Sequence, residues 1–237
     1  MIKNVKNKDV KEQENASNTQ RDNYKISNVK INLENVQLVK QDLTDELLDY
    51  YSKCDLLAVD CEMMGLNPIR DRLCLIQMCD QNEKVTLVKI DTGKKAPNLK
   101  KLFEDAKIRK IFHFARTDLA FLYHWLDIDL KNVFCTKSAS KLVRTYTDKH
   151  SLKDLLKELL STDIDKNSQL TDWGAGELSK EQIKYAASDV FYLISGYHKL
   201  IELLKRENRL EIVEEVNKFL PALAKLDLLG YVDFFAH

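Results

Sequence analysis

The chain predicts an α/β domain built on a mixed central sheet, and three observations carry that expectation. Short apolar runs bounded by turn residues recur at 56–61, 73–78 and 85–90, as buried strands do. Two amphipathic stretches, 98–106 and 116–126, alternate with further strand-like runs at 110–113 and near Val133-Phe134. Beyond Lys137 the pattern is helical apart from a loop at 161–176. Strands first, with helices interleaved, give a layered α/β core with a helical C-terminal part.

The elements follow in order. Residues 1–32 are rich in Lys, Asn, Gln and Ser; such a segment buries too little area to offset its ordering entropy, so a disordered polar tail is expected there. It lacks the apolar core of a secretory signal, and no apolar stretch reaches membrane-spanning length. The domain is expected over 33–237. Val36-Gln37-Leu38-Val39 alternates like an edge strand. A short helix is expected over 45–53, then three strands, the first two joined by a turn around Asn67-Pro68. Asn98 is a candidate cap for the helix that begins there. Ser179, with Gln182 three residues on, forms a capping-box signature for a later helix. No internal repeat is visible.

Charge narrows the function classes. The chain holds 37 basic and 37 acidic residues. The tail to Lys30 has seven basic and four acidic ones, so the remaining 207 residues carry a formal charge of minus three. A protein that tracks long nucleic acid shows a basic face. Here there are only local clusters, around Lys100, Lys101, Lys107, Arg109, Lys110 and Arg116, then Lys137, Lys141, Arg144, Lys149 and Lys153. Most read as solvated faces. Five cysteines, none in a Cys-x-x-Cys pair or at zinc spacing, read as reduced core residues of a cytoplasmic protein.

Three acidic clusters carry the chemistry. Asp60 and Glu62 flank Cys61 at the end of the run Leu56-Leu57-Ala58-Val59. Strand side chains alternate faces, so both acids point one way and Cys61 the other. Asp118 begins a helical stretch after His113-Phe114. Tyr185 and Asp189, at i and i+4, share one face of a helix. Singly each is weak: acids are frequent, and a helical Tyr/Asp pair is usually a surface contact. Jointly they describe carboxylates gathered at a buried strand end, which is costly unless cations compensate.

The clusters resemble the Exo I, Exo II and Exo III motifs of the Asp-Glu-Asp-Asp exonuclease superfamily, in the subtype with a Tyr in the third motif. Arg72-Leu73-Cys74-Leu75-Ile76-Gln77, Asp172-Trp173 and Tyr185-Ala186-Ala187-Ser188-Asp189-Val190 make the chain most similar to ribonuclease D, from about Val36 onward. Met63-Met64 stands where many relatives place a Thr. Gly65-Leu66-Asn67-Pro68, Thr136-Lys137, Arg144-Thr145-Tyr146-Thr147 and Leu226-Asp227-Leu228-Leu229-Gly230 point to the single-domain branch called nano-RNase C.

The resemblance implies a ribonuclease H-like fold and 3′-5′ hydrolysis of short single-stranded RNA to nucleoside 5′-monophosphates. It also implies a homo-oligomer, an octameric ring. It assigns two Mg²⁺ or Mn²⁺ to Asp60, Glu62, Asp118 and Asp189: Asp60 between the ions, Glu62 and Asp189 on the water side, Asp118 on the leaving-oxygen side. Tyr185 would orient the attacking water. Met64, Gly65, Leu66, His113, Phe114 and Trp173 are the candidate substrate contacts, Leu66 as a wedge between bases and Trp173 either stacking on a base or packing its loop. Four other classes stay open: a general ribonuclease D role in RNA 3′-end processing, a 3′-5′ DNA exonuclease, a binding module without catalysis, against which the complete acid set argues, and an oligomerisation scaffold built on the helical C-terminus, which is compatible with catalysis.

Overall fold

The computed structural model describes residues 31–164, 171–231 and 234–235. The expected tail lies outside them through residue 30, as does part of the loop expected at 161–176. Strands β1 (Val36–Lys40), β2 (Leu56–Met63), β3 (Leu73–Asp80), β4 (Val85–Lys89), β5 (Arg109–Phe112) and β6 (Val133–Cys135) form one sheet in the order β1-β4-β3-β2-β5-β6. The pairs β1/β4, β2/β5 and β5/β6 are parallel, whereas β2/β3 and β3/β4 are antiparallel. The sheet is therefore mixed, as the sequence predicts, with the alternating β1 at an edge.

Helices cover both faces. On one side α1 (Asp45–Tyr51), α2 (Pro97–Glu104) and α3 (Ala115–Leu126) pack with Leu57, Val59 and Cys61 of β2. On the other, α4 (Thr136–Val143), α5 (Leu152–Leu160), α6 (Lys180–Phe191) and α7 (Leu193–Arg206) pack with Ala58, Leu75 and Leu87. The last helix, α8 (Leu210–Leu228), runs along α3 and gives Leu220 and Ala224 to the first core and Val213 to the second. Two cores covering two faces bury β3 along its whole length.

Three local expectations need correction. Asn98 does not cap α2: the helix starts at Pro97 behind Ala96, with no side-chain cap of its own. Asp42, from a distant loop, accepts the Asn98 and Leu99 N–H groups at 2.9 and 2.8 Å. Asn98 itself donates to Leu43 O and Asp45, which ties α2 to α1. The basic clusters are not uniformly solvated. Lys110 is fully buried, its ammonium donating to Asp105 O and Ile108 O. Arg144 is buried against Glu158, Ser140 and Lys149 O. Nor is the chain after Lys137 continuously helical before 161, because α4 ends at Val143 and α5 starts only at Leu152.

Candidate active site

Strand β2 sets the geometry. Asp60 and Glu62 follow Ala58 onto the α6 side of the sheet, while Cys61 joins Leu57 and Val59 in the opposite core. The pairing with β3 shifts between Glu62 and Met63; such an irregularity bends the strand and ends regular pairing beside the acids. Opposite them, α6 begins at the expected capping box: Ser179 accepts the Gln182 N–H and the Gln182 side chain accepts the Ser179 N–H. Tyr185 and Asp189 are buried on its inward face, close enough for the Asp189 carboxylate to raise the Tyr185 phenol. One oxygen each from Asp60, Glu62 and Asp189 lie within 4.8 Å of one another.

Asp118 arrives from the other face of the sheet and stands outside that triad. It lies in the first turn of α3, buried, with Cys61 among the groups that act on its carboxyl. Cys61 thus faces away from Asp60 and Glu62 yet still borders the site, through Asp118. The turn into α3 is made by Phe114, whose φ of 71° is left-handed. That conformation is costly for a side chain with a Cβ. It leaves the ring half exposed on the cavity wall while Asp118 is turned inward.

The electrostatics are those of a crowded anionic pocket. Burial first, then Asp118, Asp189 and Glu62, push the Asp60 carboxyl well above the usual carboxylate range. Glu62 is pushed up to about 9 by burial, then by Asp189 and Asp118. Burial raises Asp118 to about 8. The Tyr185 phenol is held well above its ordinary value by burial and then by Asp189, Glu62 and Asp60. No basic side chain among the described residues stands among the causes acting on these three acids. An all-oxygen donor set short of positive charge fits a hard divalent cation such as Mg²⁺ or Mn²⁺ and not zinc.

A cavity of about 640 Å³ opens over this cluster. All six candidate contacts line it: Met64, Gly65, Leu66, His113, Phe114 and Trp173. They differ in presentation. Leu66 is 85% exposed at the tip of the β2–β3 loop, while Trp173 is only 2% exposed, its indole 5.9 Å from the Tyr185 ring. Trp173 therefore packs behind the phenol instead of standing free as a stacking surface. His113 shares a 2.9 Å hydrogen bond with Thr136. Gly65 is required by space: a Cβ there would come within 2.1 Å of the Asp71 carboxylate, itself held by Arg70 and the Asn67 N–H. Trp125 anchors the same loop by donating to Pro68 O and Asp71 O.

Comparison with known proteins now decides the family. Residues 36–205 match the model of the 3′-5′ exonuclease family. The chain belongs to that family. Ribonuclease D of Gluconacetobacter diazotrophicus is 35% identical over 158 residues, 66% of this chain and 40% of that protein. The chain thus spans about two fifths of the length of the ribonuclease D relatives it matches. NrnC of Brucella melitensis with bound Mg²⁺ is 45% identical, with a TM-score of 0.80, covering 85% of this chain and 98% of that one. The same protein bound to pGG is 46% identical, with a TM-score of 0.81 and the same coverage. The likeness to ribonuclease D and its single-domain branch holds.

From sequence, Lys137 reads as part of a basic cluster and of the Thr136-Lys137 likeness, and Gln182 as a helix cap; neither they nor Ser151, Leu152 and Thr171 read as site residues there. Lys137, Ser151, Leu152 and Thr171 line the cavity, and the Lys137 ammonium lies 4.0 Å over the Phe114 ring. Gln182 donates to Thr171 and Asp172 O while completing the capping box, so it ties the Trp173 loop to α6. In the sequence Gln77 stands only within the run that carries the likeness; its complete burial is what marks it as an anomaly.

Proposed function

We propose that this protein removes nucleotides one at a time from the 3′ end of short RNA oligonucleotides, releasing nucleoside 5′-monophosphates in the cytoplasm. The observation that carries the reading is the carboxylate triad, Glu62 and Asp189 buried and Asp60 partly so, with Asp118 beside it, at the floor of a cavity of small-ligand size. The near full-length likeness to a protein solved with pGG and with Mg²⁺ supports short RNA as substrate. So does the net negative charge of the chain beyond the tail, which gives little support for tracking a long strand.

Asp60, Glu62, Asp189 and Asp118 would hold two divalent cations, which stabilise the attacking and departing oxygens of an in-line displacement. Tyr185, beside Asp189 on the same face of α6, holds the attacking water in line. With its proton bound so firmly, the phenol orients and does not act as the base. Water attacks phosphorus, the bond to the 3′ oxygen breaks, and that oxygen leaves as the new 3′ hydroxyl. Leu66 and Met64 project from the rim, where they separate the terminal bases; Gly65 lets that loop turn closely. Phe114 and His113 face the sugar and base, and Trp173 fixes the phenol from behind.

The same reading includes a homo-oligomer, an octamer. Ile212, Val216 and Phe219 leave an apolar stripe exposed on α8, and Leu229, Tyr231, Phe234 and Phe235 expose further apolar surface beside it. Surface of this kind marks an association site, and light scattering at micromolar concentration checks it. The catalytic reading is tested with Asp60→Asn and with chelator. Both should abolish turnover with the fold intact, the chelator reversibly; activity persisting in either would remove the cation mechanism.

A further inference from the structure

Gln77 carries none of the roles assigned above, yet it sits against the cluster. It lies in the middle of β3 and is fully buried. It is the direct cross-strand partner of Asp60, so its side chain projects on the face that bears Asp60 and Glu62. Its Nε2 donates to Glu62 Oε1 at 3.4 Å. Its Oε1 has no hydrogen-bond partner among the described residues. Reversing the amide gives no relief, because the carbonyl oxygen would then face the carboxylate and the N–H₂ group would be stranded.

A buried acceptor without a partner destabilises a fold, and an apolar side chain of the same shape would avoid that cost. An amide at this position therefore points to a partner that joins when the site is loaded. Metal-binding side chains are held by hydrogen bonds from neighbours that do not touch the metal, and those neighbours tune affinity. We propose that Gln77 is a positioning residue for the cation site: its N–H₂ group fixes the Glu62 carboxylate, and its Oε1 accepts a hydrogen bond from a water in the shell of the cation that Glu62 holds. The inference rests on the cation-site reading above and adds to it a residue that touches neither substrate nor metal.

The test is Mn²⁺ binding to the full-length chain, followed by paramagnetic resonance of the free ion, for wild type, Gln77→Met and Gln77→Leu. Melting temperatures of the metal-free proteins are measured alongside. The expected result is Mn²⁺ affinity weakened about 10- to 100-fold in both variants, with metal-free melting temperatures equal to or above wild type. At saturating Mn²⁺ the KM for a short RNA should be unchanged. Wild-type affinity in both variants, while the wild type binds normally, would overturn the role of Gln77 and leave the cation site standing. Weakened binding with lowered metal-free melting temperatures in both variants would assign Gln77 to packing and overturn the inference equally. A wild-type protein that binds no Mn²⁺ would overturn the cation site itself, and the inference with it.

Discussion

At the scale of single residues, the site is organised around charge that the protein alone does not balance. Tyr185 is the clearest case of a role set by environment. Burial, then Asp189, keep the proton on its hydroxyl far above neutral pH. Tyr185→Phe should therefore lower kcat on the order of 10²-fold while KM stays close to wild type, because the ring and its packing against Trp173 remain. Steady-state kinetics on a short RNA check this; a raised KM at unchanged kcat would make Tyr185 a substrate contact. The carboxylates give a second expectation, with a definite sign. Glu62 and Asp118 are raised to about 9 and about 8 in the folded, metal-free protein, against reference values near 4. Between those limits the native state binds more protons than the unfolded one, so metal-free stability at this site falls as pH rises. A cation that takes the place of those protons reverses the loss. The rise in melting temperature on adding Mg²⁺ should be larger at pH 8.5 than at pH 6, as thermal unfolding would show.

At the scale of elements, what could be read from sequence depended on how local its cause is. The common face of Asp60 and Glu62 follows from strand alternation, and the α6 capping box from a four-residue pattern; both stand in the structure. The cap of α2 was misread because its acceptor, Asp42, comes from a distant loop, and no local pattern encodes it. Lys110 and Arg144 read as surface charges for the same reason: the backbone oxygens and the carboxylate that permit their burial are assembled only by the fold. Asp118 is intermediate. Its place at a helix start was legible, but its approach from the opposite face, beside Cys61, was not. Because α6 carries Tyr185 and Asp189 together, its start matters to the site. Ser179→Ala removes the Ser179 half of the reciprocal cap and should cost about 1 kcal/mol in urea unfolding. A much larger loss would mean that Ser179 also holds the Trp173 loop.

At the scale of the whole molecule, two helical layers meet the sheet so that each contributes acids from its own side. Strand β2 supplies two, α6 a third, and α3 reaches the same place from the opposite core. The construction explains why the motifs are far apart in sequence yet converge: the central strand is flanked by both cores. The exposed rim at Leu66 and the cavity size support the proposed entry of a short strand by its 3′ end. Among the described residues, no helix is long and apolar enough to cross a membrane. The most direct measurement is the single-turnover rate on 5′-labelled RNAs from about two to twenty nucleotides, with matched DNAs, in Mg²⁺ and in Mn²⁺. The account predicts cation-dependent release of 5′-mononucleotides, fastest for RNAs of two to about five nucleotides; a rate that rises with length, or equal turnover in chelator, would contradict it.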